Sequence, residues 1–284
     1  MPELPEVEVL RRHLAPLLIG KTIRAIEVHK LRIVRPGPPV ALQKKVAGGL
    51  IEAVQRRGKF LLFGLRRREG KILTLVIHLG MTGRLFVQPA TRPLPMHVAA
   101  VFQVGRNAMV FKDTRGFGRV TLDLGTINTM GPEPLEDGFS AEKLANGLAS
   151  RQTVKARLMN QSVVAGLGNI YACEALHHAG ISPNARAEKL GPVRIRRLHD
   201  AILKILGEAV DFGSDLDLDW EGSEPGDGLF YFGGKEGTFS QGGLIERFRV
   251  YGREGEPCGG CGTRIRRIEQ NGRGTFYCPR CQKQ

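Results

Sequence analysis

Apolar positions along the chain follow two successive periods. Val7, Leu10, Leu14, Leu17 and Leu18 recur at three- and four-residue steps, which marks one face of a helix, and Gly20 supplies a stop. Pro2 and Pro5 precede that helix, with Glu3 and Glu6 in or near its first turn. Short β-branched or alternating runs follow at 22–28, 59–65, 72–79, 84–88, 98–104, 108–113 and 118–124. Gly, Pro and charged turns separate them, which predicts an antiparallel sandwich or barrel. The β-rich part ends near MGPEPLED at 130–137, a turn-rich stretch suited to a linker. From Ser140 the period becomes helical, predicting helices at 140–150, 152–161, 169–180 and 193–210. The last carries Leu198, Ile202, Ile205, Leu206 and Ala209 on one stripe, and Gly180 and Pro183 end the third. Residues 211–243 are rich in Gly and Asp and have little period.

Composition narrows the class of partner. The 284 residues carry a formal net charge of +14, which points to polyanions. No apolar run approaches the ~20 residues that span a bilayer, and MPELPEVEVLRR lacks the apolar core of a signal peptide. Five cysteines, four of them within the last 27 residues, argue against a disulfide-stapled secreted fold and fit a reducing cytoplasmic setting.

Those four cysteines form the sharpest local signal. Cys258-x-x-Cys261 and Cys278-x-x-Cys281, separated by sixteen residues, have the ribbon spacing of a tetrahedral Zn²⁺ site. Four thiolates would close the coordination sphere, making one zinc ion structural; two disulfides or free thiols are the competing outcomes. Cys173 stands alone within a helical stretch, as a small core residue would. Between the pairs, QNGRG reads as a hairpin with Asn271–Gly272 at its tip. Residues 258–284 hold six Lys/Arg against one acid, Glu269. An arginine on a zinc-stiffened hairpin suits a phosphate, and a solvated turn accounts for it equally well. Gly166, Gly168 and Asn169 precede a helix and suggest an anion site of free backbone N–H groups, with Asn169 expected as a cap. Arg151 and Lys155, four apart, are expected on one helix face.

Six motifs then occur in order over nearly the whole chain: MPELPEVE, GKFLLF at 58–63, HLGMTG at 78–83, AGLGNIYACEAL at 165–176, VYGREGEPC at 250–258 and GRGTFYCPRCQ at 272–282. Together they resemble the formamidopyrimidine-DNA glycosylases. The resemblance implies an N-terminal helix plus β-sandwich over 1–132, a helix-two-turn-helix domain with a lesion-capping loop over 138–243 and a zinc finger over 244–284. It implies a monomer acting on double-stranded DNA, removing oxidised purines such as 8-oxoguanine and formamidopyrimidines and cutting the abasic strand by β,δ-elimination. A bacterial, cytoplasmic and nucleoid-associated protein is expected. Pro2 matches the family nucleophile, a secondary amine once Met1 is lost. Glu3 matches the general acid/base. Lys59 matches a proton donor or phosphate clamp, and Arg273 the finger arginine that grips phosphates. Glu6 matches a second acid at the DNA site. Met81, Arg115 and Phe117 match the trio that fills the gap left by a flipped base, with Arg115 facing the orphaned cytosine. His97, Arg151, Lys155 and Asn169 match DNA-contacting positions. Two rivals remain: an oxidised-pyrimidine glycosylase of the endonuclease VIII type, from which Leu4 leans away, and a non-catalytic zinc DNA-binding protein.

Two departures stand out. Where the family commonly has DPRRFG this chain has DTRGFG, so Gly116 replaces a second basic residue and a backbone contact is expected to be missing. Residues 215–227 hold six acids (Asp215, Asp217, Asp219, Glu221, Glu224, Asp227) and no Lys or Arg, where the family has its short capping loop. A solvated lid, a phosphate mimic or an altered lesion choice would each account for that run.

Overall fold

The computed structural model describes residues 1–214 and 248–284. The acidic run at 215–227 lies outside the described residues. The chain divides into two compact units. Among the described residues the first holds Met1–Pro2 and Glu6–Asn128, and the second holds Glu3–Pro5 with 129–214 and 248–284.

Helix α1 runs Leu4–Leu18. Val7, Leu10, Leu14 and Leu18 are at most 1% exposed, whereas Leu17 faces outward at 39%, so the helix buries one stripe. Strands β1 (Thr22–Val28), β2 (Gly49–Arg57), β3 (Phe60–Arg66), β4 (Ile72–His78), β5 (Gly83–Pro89), β6 (Val98–Val104), β7 (Asn107–Asp113) and β8 (Arg119–Thr121) form one sheet. Its order is β5-β7-β6-β1-β2-β3-β4-β8. Every neighbouring pair is antiparallel. One buried cluster takes Leu85 and Phe111 from one end of the sheet, Ile77 and Val120 from the other, and the α1 stripe. Both ends therefore wrap a single core, as in a sandwich. Two short helices belong to this unit: α2 (Pro39–Val46), and α3 (Gly125–Asn128) at its end.

Strand β2 is absent from the sequence expectation although it is central. Its register shifts between Ile51 and Ala53, so the buried apolar positions fall at Ile51 and Val54 rather than alternating. A bulge of this kind erases the period-2 signal.

The second unit contains α4 (Ala141–Leu148), α5 (Val154–Leu158), α6 (Asn169–His178), α7 (Pro192–Ser214) and the hairpin β9 (Arg266–Gln270) with β10 (Arg273–Tyr277). Ser140 and Thr153 cap α4 and α5, their hydroxyls accepting from Lys143 N and Ala156 N. The hairpin turn falls at the expected place, with φ of 52° at Asn271 and 68° at Gly272. The C-terminal segment is pinned to the helical part of the same unit. Ser182 N donates to Lys283 O at 2.8 Å and Gln282 Nε2 donates to Ile181 O at 2.8 Å. Among the described residues no helix is long and apolar enough to cross a membrane.

Candidate nucleic-acid interface and zinc centre

In the first unit, Met81, Arg115 and Phe117 lie together on the surface. Met81 and Phe117 are 47% and 48% exposed, unusual for large apolar side chains. The Arg115 guanidinium sits 4.8 Å from the centre of the Phe117 ring and donates from Nη1 to Met81 Sδ at 3.4 Å. The backbone beneath is fixed by Asp113, which is fully buried. Its carboxylate accepts from Thr82 Oγ1 at 2.7 Å and from Gly118 N at 2.8 Å, while Thr82 Oγ1 accepts from Arg115 N at 3.1 Å.

The same unit holds Pro2, Glu6 and Lys59, all buried. Pro2 follows an exposed Met1 and carries an amide nitrogen there, so a secondary amine exists only once Met1 is removed. Lys59 follows Gly58, whose φ is 55°, in the β2–β3 turn. His78 pairs with Phe60 across β3–β4, and the two rings lie 4.6 Å apart. Burial, then the charges of Lys59, Arg119 and Arg35, pull His78 down to about 4, and its Nδ1 accepts from Gly80 N at 3.1 Å. His78 is thus a neutral ring beside the candidate lysine. Glu8 shows the opposite balance. Burial alone raises its pKa, but hydrogen bonds and charges from Arg11, Arg12 and Arg56 outweigh it and hold the carboxyl at about 2. His97 is exposed, with a left-handed backbone of φ 65°.

In the second unit, the N-terminus of α6 is the organising feature. The expectation of free amides facing outward is corrected here. Ile170 N and Tyr171 N donate to Glu3 at 3.0 and 3.5 Å, so the chain supplies its own anion to the positive end of the helix dipole. Glu3 is 3% exposed. The adjoining Leu4 N donates to Gly166 O, and a Cβ on Gly166, at φ +81°, would lie 2.7 Å from Leu4 Cβ. Only glycine fits that approach. The N-cap of α6 is Gly168 and not Asn169. The Asn169 amide donates to Gly274 O at 2.9 Å, and its Oδ1 is buried without a hydrogen-bond partner.

The expectation for Arg151 and Lys155 is corrected too. Arg151 is exposed and precedes α5, which starts after the Thr153 cap, so the two do not share a helix face. Lys155 is 0% exposed and donates to Thr275 Oγ1 at 2.6 Å. Burial lowers its pKa, and the charges of Cys173, Arg273 and Glu3 reach it. One locality therefore gathers Glu3, Lys155, Asn169 and the first residues of β10, including exposed Arg273. Cys173 is buried, as expected, and its thiol is raised to about 11 by burial.

Several supporting residues escape sequence reasoning. Glu174, 2% exposed, accepts from Arg249 N, Val250 N and Tyr251 N at 2.8–3.0 Å. Its one visible signal is an acid among Ala and Leu in CEAL. Thr82 and Asp113 lie inside HLGMTG and DTRGFG, where the glycines and the arginine draw attention first.

The four ribbon thiols lie within 4.8 Å of one another. A tetrahedron of ~2.3 Å Zn–S bonds spaces its sulfurs about 3.8 Å apart. The Cys258–Cys281 and Cys261–Cys278 separations are 3.9 and 3.4 Å, and all five cysteines are free thiols. The disulfide alternative is thereby removed, and the donor set fits one structural zinc.

An antiparallel sandwich, a capped-helix unit and a four-thiolate ribbon in one strongly basic chain define a zinc-ribbon class of protein suited to a polyanion. Comparison with known proteins specifies it. Residues 1–120 match the formamidopyrimidine-DNA glycosylase N-terminal domain, 130–217 the H2TH domain of the same enzymes, and 255–284 the zinc finger found in FPG and IleRS. The formamidopyrimidine-DNA glycosylase of Carboxydothermus hydrogenoformans is 38% identical, with the whole of both chains aligned. That of Geobacillus kaustophilus is 39% identical, again over the whole of both. Among solved structures, the complex of Lactococcus lactis Fpg with abasic-site DNA is 31% identical with a TM-score of 0.84, covering 99% of this chain and 100% of that one. MutM bound to DNA containing carbocyclic 8-oxo-G is 32% identical, also with a TM-score of 0.84, over 100% of both chains. The chain belongs to the formamidopyrimidine-DNA glycosylase family, whose members join a DNA glycosylase to an abasic-site lyase.

Proposed function

We propose that this chain excises oxidised purines, 8-oxoguanine and formamidopyrimidines, from double-stranded DNA and then cleaves the abasic strand, acting as a monomer in the bacterial cytoplasm. The observation that carries the reading is Glu3, held by two α6 amides one residue after Pro2. A carboxylate so fixed is oriented for proton transfer next to a nucleophile.

With Met1 removed, the neutral Pro2 amine attacks the sugar C1′ and the C1′–N bond to the base breaks. The departing base takes a proton, and Glu3 protonates the ring oxygen as the ring opens. The resulting iminium acidifies the C2′ proton; its loss expels the 3′ phosphate, and a second elimination expels the 5′ phosphate. Lys59 and Arg273 grip phosphates and assist these departures. Met81, Arg115 and Phe117 enter the space of the flipped base. Glu6 and His97 flank the site, and Arg151 and Asn169 face the backbone. Lys155 serves from inside, through the hairpin that carries Arg273. The domain limits 1–132, 138–243 and 244–284 follow the same reading. Excision from 8-oxoguanine:C and thymine-glycol duplexes tests it. Faster release of 8-oxoguanine supports the purine assignment, preference for thymine glycol reassigns the chain to pyrimidine lesions, and no release from either leaves a DNA-binding protein.

A further inference from the structure

The segment between β7 and β8 carries Arg115 and Phe117 without a strand partner of its own. Its carbonyls are taken by cations from the stretch around Leu31–Ile33. Lys30 Nζ donates to Asp113 O and, at 3.3 Å, to Thr114 O. Arg32 Nη2 donates to Arg115 O at 2.5 Å. Gly116 has φ +66°, and a Cβ built on it would lie 2.2 Å from Arg32 Nε and 2.5 Å from Arg32 Cζ. The Arg32 guanidinium therefore fills the place a side chain at 116 would take. Glycine at 116 is required by its left-handed backbone, and the flexible Arg32 guanidinium occupies the space that its missing side chain leaves. Arg32 remains exposed, as do Met81, Arg115 and Phe117.

We propose that Arg32 is a positioning residue for the Arg115–Phe117 loop and supplies the DNA-backbone contact that Gly116 lacks. The inference rests on the reading of Met81, Arg115 and Phe117 as the groups that enter the duplex. A guanidinium has five donors in a rigid planar fork. One bond to Arg115 O fixes the backbone from which the Arg115 side chain projects. The outward donors are left for a phosphate. Lysine at this position would supply the charge but not the fork.

The test compares Arg32→Ala, Arg32→Lys and Arg115→Ala with the unaltered protein. It measures duplex affinity over a salt series and single-turnover excision of 8-oxoguanine opposite C and opposite A. Thermal unfolding confirms that each exposed substitution folds. Arg32→Ala is expected to weaken duplex binding about tenfold, reduce the slope of log affinity against log salt by about 1, and narrow C-over-A discrimination several-fold. Arg32→Lys restores the slope and not the discrimination. Arg32→Ala with either an unchanged slope or unchanged discrimination overturns the proposal. If Arg115→Ala still loses discrimination in that case, the duplex-entering trio stands and Arg32 alone is misassigned. If Arg115→Ala is also unchanged, the reading of the trio falls first and takes this proposal with it.

Discussion

The most distinctive side chains of the two units are put to different uses. On the sheet unit the notable apolar side chains, Met81 and Phe117, are outside, and a buried Asp113 holds the loop behind them. In the helical and zinc unit the notable charges, Glu3, Lys155 and Glu174, are inside and bind backbone or hydroxyl groups. An exposed apolar pair adds little to folding and is available for another molecule. A buried charge is tolerated only where hydrogen bonds replace its water. The first arrangement is a surface prepared for a partner, and the second is a scaffold that fixes where a few groups stand. Substitutions should therefore separate: at Met81 and Phe117 function changes before stability, and at Glu3, Lys155 and Glu174 stability changes with it.

The largest effect is expected at the zinc. The ribbon's buried cluster is small, with Val250, Ile265 and Cys173 beside its own cysteines and Tyr251 and Phe276 partly buried against it, so the metal stands in for much of a core. Structural zinc in comparable ribbons contributes about 10–16 kcal/mol of apparent binding energy. Chelation, or Cys278→Ser, should unfold the β9–β10 hairpin and abolish tight DNA binding, read by limited proteolysis and by titration of labelled duplex. Met81→Ala should leave the unfolding transition in place. Thr275→Val comes next. It leaves the Lys155 ammonium enclosed without its hydroxyl partner, and denaturant unfolding should show a loss of about 2–3 kcal/mol.

Acid should act on the sheet unit through His78. Folded His78 titrates near 4 and the unfolded ring near 6.5, so the unfolded chain takes up the proton first. Stability is full above pH 6.5 and declines as pH falls from 6.5 toward 4, by about 3 kcal/mol. Urea unfolding at stepped pH should show this decline, and His78→Gln should flatten it. Glu8 adds a separate, lower window, its contribution present above pH 4.5 and lost as pH falls through about 2. The smallest effect is expected for Thr82→Val, about 1 kcal/mol in unfolding. Its consequence should appear as weaker discrimination of the opposite base in single-turnover excision.

Much of this was legible in the sequence, for identifiable reasons. The α1 stripe, most of the strands, the cysteine ribbon and the Asn271–Gly272 turn each write their geometry into local spacing. Strand β2 does not, because its bulge breaks the alternation. The α6 N-terminus was recognisable as an anion site from its glycines. That Glu3 fills it depends on a contact 167 residues away in sequence, which no local pattern records. Lys155 reads as a surface cation because lysines usually are. Its burial follows from Thr275, 120 residues on. Arg32 was invisible for the same reason: the absence at Gly116 can be read in sequence, and the group that compensates for it cannot.

The central claim is that Pro2, freed of Met1, bonds covalently to the deoxyribose. Borohydride reduction during reaction with abasic duplex, followed by peptide mass mapping, tests it directly. The account predicts a stable adduct on the peptide that begins at Pro2, strongly reduced in Pro2→Gly. An adduct on Lys59 or another lysine, one undiminished in Pro2→Gly, or a mature chain that retains Met1 would contradict it.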